Sequence, residues 1–312
     1  MSAAAGRLFK RVRYHVSMGP GNFLFGLRRR VLGYRLRIAQ TQSGAFAGHG
    51  LEIGGPSPIF SATGAMPVYP IAHRIDNVTF DCQTRWEGRV EAGETFVFDP
   101  GKSAGRQYIA EAADLSFAAD EFYDFVISSH MLEHCANPIA ALRQWMRVVK
   151  TGGALLLVLP HRDGTFDCRR PVTPLSHLID DDLSNTPESD RTHFEEILSL
   201  HDFVRDPAQF SRREFQIWVE NNLKNRGAHH HVFDARSAAR LIDHLHWQIV
   251  AVELMRPHHI CLLACKPAAQ APAENAAFLD PQAAYLRASP FASDRVQARH
   301  ASPQEQTAAR VA

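Results

Sequence analysis

The chain has 312 residues and a formal net charge of +1, with 34 Lys and Arg set against 33 Asp and Glu. That length can bury one large core, or one domain with an appendage, and so balanced a charge argues against nucleic acid as the main partner, because phosphate binding shows as a basic excess. The five cysteines are odd in number and lack metal-like pairs, which points to reduced thiols in the cytoplasm rather than a disulfide framework.

No stretch reaches the ~18 apolar residues of a membrane span, and an apolar h-region with a small-residue cleavage site is missing at the start. Residues 1–40 hold nine Lys or Arg and no Asp or Glu, interleaved with Phe9, Val12, Phe23, Leu24, Phe25, Val31, Leu32 and Leu36. This spacing predicts a basic amphipathic segment over 1–45, broken at Gly19-Pro20-Gly21. Two readings stand for it: peripheral contact with an anionic membrane surface, or a helix capping the main domain with its arginines in water.

From Gly48 onward strands and helices alternate, as a doubly wound parallel α/β sheet requires. Leu51-Glu52-Ile53-Gly54-Gly55-Pro56-Ser57 reads as a buried strand passing into a tight turn whose backbone amides lie open to a ligand. Residues 74–81 supply a second strand, Gln107–Leu115 a third element, and 122–129 a fourth strand that runs into Ser128-Ser129-His130-Met131-Leu132-Glu133-His134. Pro138–Val149 has helical apolar spacing, and Ala154–Leu159 is a fully apolar fifth strand. Residues 161–232, rich in His, Asp, Arg and Pro, break the rhythm as an inserted lid without a core of its own. A helix opens at Phe233-Asp234-Ala235, followed by strands Trp247–Leu254 and His259–Cys265; Cys261 and Cys265 belong to that apolar run as core. Residues 267–312, dominated by Ala, Gln, Pro and Arg, predict a disordered tail.

These motifs in this order, over roughly residues 46–266, resemble the class I S-adenosylmethionine-dependent methyltransferases, in particular bacterial type 11-like members with an S-S-H-x-L-E-H segment. The resemblance implies a Rossmann-like seven-stranded sheet, mostly parallel with a terminal antiparallel hairpin, and S-adenosyl-L-methionine as cofactor. It also implies transfer to a small-molecule or glycan acceptor, such as a hydroxyl of a surface polysaccharide sugar or a secondary metabolite. Against it stand a non-catalytic module that only binds the cofactor, and, more weakly, a nicotinamide oxidoreductase, for which G-x-G-x-x-G is missing.

The implied cofactor contacts are Glu52 for the amino group of the methionine tail, with Gly54 and Gly55 letting the backbone approach. Asp76 is expected at the ribose, with Asp81 as alternative, and Asp114 with the backbone of Leu115 at the adenine. Ser129 is expected among the cofactor contacts. His130 and His161, each following a strand, are candidate bases for the acceptor proton, with contact to the methionine moiety as the alternative for His130. His130, Glu133 and His134 have i, i+3, i+4 spacing, so a divalent cation is a further reading of that trio, in the manner of the E-M-L-E-H segment of ubiquinone-pathway O-methyltransferases; a structural role for Glu133 and His134 is the other.

Overall fold

Ten strands follow one another in the computed structural model, which describes residues 35–208, 210–268 and 271–300. They are β1 His49–Ile53, β2 Arg74–Thr79, β3 Gln83–Thr84, β4 Gly88–Arg89, β5 Gly93–Phe96, β6 Gly105–Ile109, β7 Tyr123–Ser129, β8 Val149–Pro160, β9 Gln248–Met255 and β10 His259–Cys265. Eight form one sheet in the order β5-β6-β2-β1-β7-β8-β10-β9, while β3 and β4 pair as a separate hairpin. The five strands from β6 to β8 are parallel. β10 then runs antiparallel between β8 and β9, which forms the expected terminal hairpin. The sheet has eight strands rather than seven because β5 adds an antiparallel edge to β6; Gly93-Glu94-Thr95-Phe96 is too short and polar to announce itself as a strand.

The parallel strands read as near-continuous apolar runs because both their faces are covered. Leu51, Ile53, Val126, Leu155, Leu157 and Leu159 pack on one side. There they meet helices α1 (Pro138–Val148) and, across the insertion, a helix at Ala235–His244. Their neighbours Phe125, Ile127, Leu156, Val158, Cys261 and Leu263 pack on the other side against Phe46, Phe60 and Met66. Asn137 caps α1 by accepting from the Ala140 N–H at 2.9 Å, and Pro138 occupies the first turn, where no amide donor is needed.

Two expectations are corrected. The insertion folds into helices α2 (Leu175–Leu183), α3 (Phe194–Leu200) and α4 (Arg212–Glu220). It has its own apolar cluster, in which Phe194 and Ile197 of α3 meet Phe215 and Val219 of α4. The run lengths hid this, since the contributing residues lie some twenty positions apart and meet only when the helices cross. The tail is likewise not disordered from 267 onward: residues 276–279, 284–287 and 292–300 are helical, and Leu286, Phe291 and Asp294 are buried. A few apolar side chains suffice there because they complete a surface the domain already provides. Residues 1–34 and 301–312, which hold most of the basic segment and the end of the tail, lie outside the described residues.

Candidate active site

β1 ends in Gly54, whose φ of +79° favours glycine. Its N–H donates to Val78 O, and the next amide, Gly55 N–H, donates to Asn77 Oδ1 at 2.9 Å. Glu52 lies behind this loop, fully buried, accepting from Ser57 N at 3.0 Å and from the Tyr69 hydroxyl at 2.8 Å. Burial pushes its carboxyl up to about 7. A Cβ at Gly55 would stand 2.2 Å from Glu52 Cδ, so the glycine is required by the carboxylate beneath it. The expected contact of Glu52 with a methionine tail is corrected: strand alternation turns the side chain inward, where it braces the loop.

In front of the loop, at the carboxyl ends of the parallel strands, opens a cavity of about 580 Å³, within the range of small-molecule sites. Gly54 and Ser57, Thr79 and Phe80, Glu111 and Ala112, and Ser129 and His130 line it, each pair following a different strand. The β3–β4 hairpin adds Trp86 and Glu87. Arg226 closes one side, pairing with both Glu111 and Glu188 and lying over the Phe80 ring.

Of the expected cofactor residues, Gly54 and Ser129 reach the cavity, and Gly55 stands beside it. Asp76 does not: it sits in the first half of β2, where His49 Nε2 and Arg74 Nε hold it at 2.9 Å and the Arg106 N–H at 2.8 Å. Counting from the glycine turn picked a residue three positions short of the strand's end, and the carboxyl end presents Thr79 and Phe80. Asp81 is outside the cavity and accepts from the Gln83 N–H. Asp114 is exposed and accepts from the Ser116 N–H, and Leu115 belongs to the core, while their neighbours Glu111 and Ala112 face the cavity.

A second cavity of about 530 Å³ adjoins the first and shares Trp86, His130 and His134 with it. Arg85, Phe166, Arg205, Trp218, His229 and His258 line the rest. His130, at φ +54°, leaves β7 and places Nε2 2.7 Å from His259 Nδ1. Glu133 is 1% exposed, and neither of its oxygens has a hydrogen-bond partner. Three imidazole nitrogens face Oε1 instead: His130 Nδ1 at 3.6 Å, His134 Nε2 at 3.8 Å and His229 Nε2 at 4.0 Å. The helix here is a single turn, Leu132–His134, so the convergence comes from the left-handed bend at His130 rather than from one helical face.

Each outer nitrogen is tied. His134 Nδ1–H donates to Ala228 O at 3.1 Å, and His229 Nδ1–H to Asp167 Oδ2 at 2.6 Å. Burial drives His134 down to about 4 and His258 to about 3. At His229 burial also lowers the imidazole, but Asp167 outweighs it and the group titrates above its usual value. Burial would raise Glu133, yet the surrounding imidazoles hold it below the usual carboxylate range. Glu133, His134 and His229 have donor atoms within 4.8 Å of one another and are able to hold a cation.

His161 is corrected as a site residue. It is fully buried, stacks on Phe291 at 4.0 Å and bonds Asp294 at 3.1 Å. It fastens the C-terminal helices and touches neither cavity.

Residues 91–157 match the family model described as a methyltransferase domain, a span that includes Ser129, His130 and Glu133. The matched span, about a fifth of the chain, resembles a methyltransferase domain, in keeping with the S-adenosyl-L-methionine-dependent class that the sequence motifs suggest. No curated protein matches the chain. Among solved structures it is similar to a SAM-dependent methyltransferase from Aquifex aeolicus, at 10% identity and a TM-score of 0.39 over 77% of this chain and 97% of that one. A SAM-dependent methyltransferase from Methanosarcina mazei gives 14% and 0.40 over 70% and 92%. The trans-methyltransferase CalH in complex with SAH gives 12% and 0.39 over 74% and 54%. Likeness at this level bears on no residue's role.

Proposed function

We propose that the enzyme methylates an oxygen of a hydroxylated acceptor, a sugar of a surface polysaccharide or a secondary metabolite. The observation that carries this reading is the pair of cavities meeting at His130. The first takes the cofactor, with the glycine loop and Ser57 at the methionine tail, Thr79 and Phe80 at the ribose, Glu111 and Ala112 at the adenine, and Ser129 near the sulfonium. The cofactor supplies an electrophilic methyl group. Aromatic faces at Phe166 and Trp218, with Arg85 and Arg205 in the same lining, give the second cavity the mixture of flat apolar surface and donors that suits a hydroxylated ring.

In the reaction the acceptor oxygen forms a bond to the methyl carbon as the sulfur–carbon bond breaks, and the hydroxyl proton passes to His130. Holding the reactants in line does much of the work. Glu133, 3.6 Å from His130 Nδ1, stabilises the imidazolium so formed. His130→Ala is expected to lower kcat at least 100-fold, within the range for a lost general base, and to leave S-adenosylhomocysteine affinity by calorimetry unchanged. Wild-type turnover of an acceptor found by labelled-donor screening would remove His130 as the base.

The unpartnered Glu133 carboxylate favours a second reading, in which Glu133, His134 and His229 hold a divalent cation that orients the acceptor oxygen. Turnover lost to chelator and restored by added cation would support it. We assign residues 46–266 to the catalytic unit and place the protein in the cytoplasm, and keep two roles for the basic segment: contact with an anionic membrane surface, or capping of the domain, which the burial of Leu36 and Ile38 supports. Among the described residues no helix is long and apolar enough to cross a membrane.

A further inference from the structure

Away from both cavities, the insertion gathers a second set of side chains that the reaction does not use. His177 and Asp181 stand one turn apart on α2, so they share a helix face. His193 immediately precedes α3, and His231 ends the His229-His230-His231 run. His177 Nε2 lies 3.0 Å from His193 Nε2 and 3.4 Å from Asp181 Oδ2, and His231 Nε2 lies 3.8 Å from that same oxygen. The four residues offer donor atoms that all fall within 4.8 Å of one another.

Hydrogen bonding within the protein does not account for this arrangement. Asp181 is 9% exposed, and its two oxygens are treated differently: Oδ1 accepts from the Thr186 hydroxyl at 3.0 Å, whereas Oδ2 is buried without a partner and points at the imidazoles. An N–H···N bond would satisfy the His177–His193 contact but would leave that oxygen bare, at a cost of about 1–3 kcal/mol for an unmet buried acceptor. Around tetrahedral zinc, with bonds of about 2.0–2.1 Å, neighbouring ligand atoms are separated by roughly 3.3 Å, a value that the 3.0, 3.4 and 3.8 Å separations here bracket.

We propose that His177, Asp181, His193 and His231 form a structural site for zinc or a similar divalent transition metal. Three imidazoles with one carboxylate and no thiolate suit zinc or cobalt better than magnesium or calcium. The fourth side chain, His231, also lies with its Nε2 3.2 Å from Ala136 O. A bound ion would join α2, the start of α3 and the His229–His231 stretch. That stretch carries His229, a wall of the second cavity, and the His231 N–H donates to Glu133 O. The metal would therefore set the shape of the acceptor side while leaving the cofactor loop alone.

The test uses the full-length chain without a histidine tag, stripped by chelator and titrated with Co²⁺. We expect one equivalent to give the intense visible bands of tetrahedral cobalt and zinc to displace it. Asp181→Asn and His193→Gln should each lose the bands, while Glu133→Gln, in the other cluster, should keep them. If the variants do not fold, the stripped wild type decides: stoichiometric zinc should raise its melting temperature. Bands missing from the wild type, bands retained in both variants, or an unchanged wild-type melting temperature would each overturn the proposal.

Discussion

Replacing Glu52 with glutamine isolates the cost of keeping a carboxyl group behind the cofactor loop. In the folded chain burial raises this group to about 7, against 4.5 for an exposed glutamate. Below pH 4.5 both folded and unfolded chains carry the proton, and Glu52 contributes no pH dependence. Between 4.5 and about 7 the unfolded chain ionises while the folded one stays protonated, so stability falls as pH rises; above that the penalty is constant. At about 1.36 kcal/mol per pH unit the gap amounts to about 3 kcal/mol. The amide introduced by Glu52→Gln does not titrate, so subtracting the variant's stability from that of the wild type cancels every other ionisable group. Urea unfolding of both proteins at intervals from pH 4.5 to 8 measures the difference. Wild type should lose about 3 kcal/mol relative to the variant across that range, on top of a constant offset of about 1 kcal/mol for the altered hydrogen bonds to Ser57 and Tyr69. A difference that stays flat with pH would show that the carboxyl is ionised throughout and that the account of a loop braced by a buried proton is wrong.

Gly55→Ala places a methyl group 2.2 Å from the Glu52 carboxyl carbon, and overpacking of this kind costs about 1–3 kcal/mol; calorimetry should find S-adenosylhomocysteine binding lost, and undiminished affinity would mean the loop yields. Truncation after residue 268 uncovers His161 and removes Phe291 and Asp294, so scanning calorimetry should record a drop of several degrees, whereas an unaltered melting temperature would mean the C-terminal helices contribute nothing. If Arg28-Arg29-Arg30 engage anionic lipid, each contributes up to about 1 kcal/mol; flotation should then occur with anionic but not neutral liposomes and fade with salt, and equal, negligible flotation with both would favour the capping helix, in which Arg35 and Arg37 bond Ala62 O and Glu253.

Much of the fold was legible because a strand buried on both faces must be apolar along its length. Phe125–Ile127 and Leu155–Leu159 announce themselves that way, and the order of strands and helices leaves few topologies. The glycine turn and the Ser129-His130 step were legible for a related reason: a site at the carboxyl ends of parallel strands must begin where an apolar run stops. What the sequence could not determine is which way a side chain points and what lies opposite it. Glu52 and Asp76 have the composition of ligand contacts, but strand alternation and strand length turn one under the loop and leave the other in the first half of its strand. His161 follows a strand just as His130 does, yet the C-terminal helices cover it. The meeting of Glu133 and His134 with His229, and of His177 and Asp181 with His193 and His231, spans up to about a hundred positions in the chain. Contacts of that kind leave no periodicity to read, because only the packing of the insertion against the sheet brings them within reach.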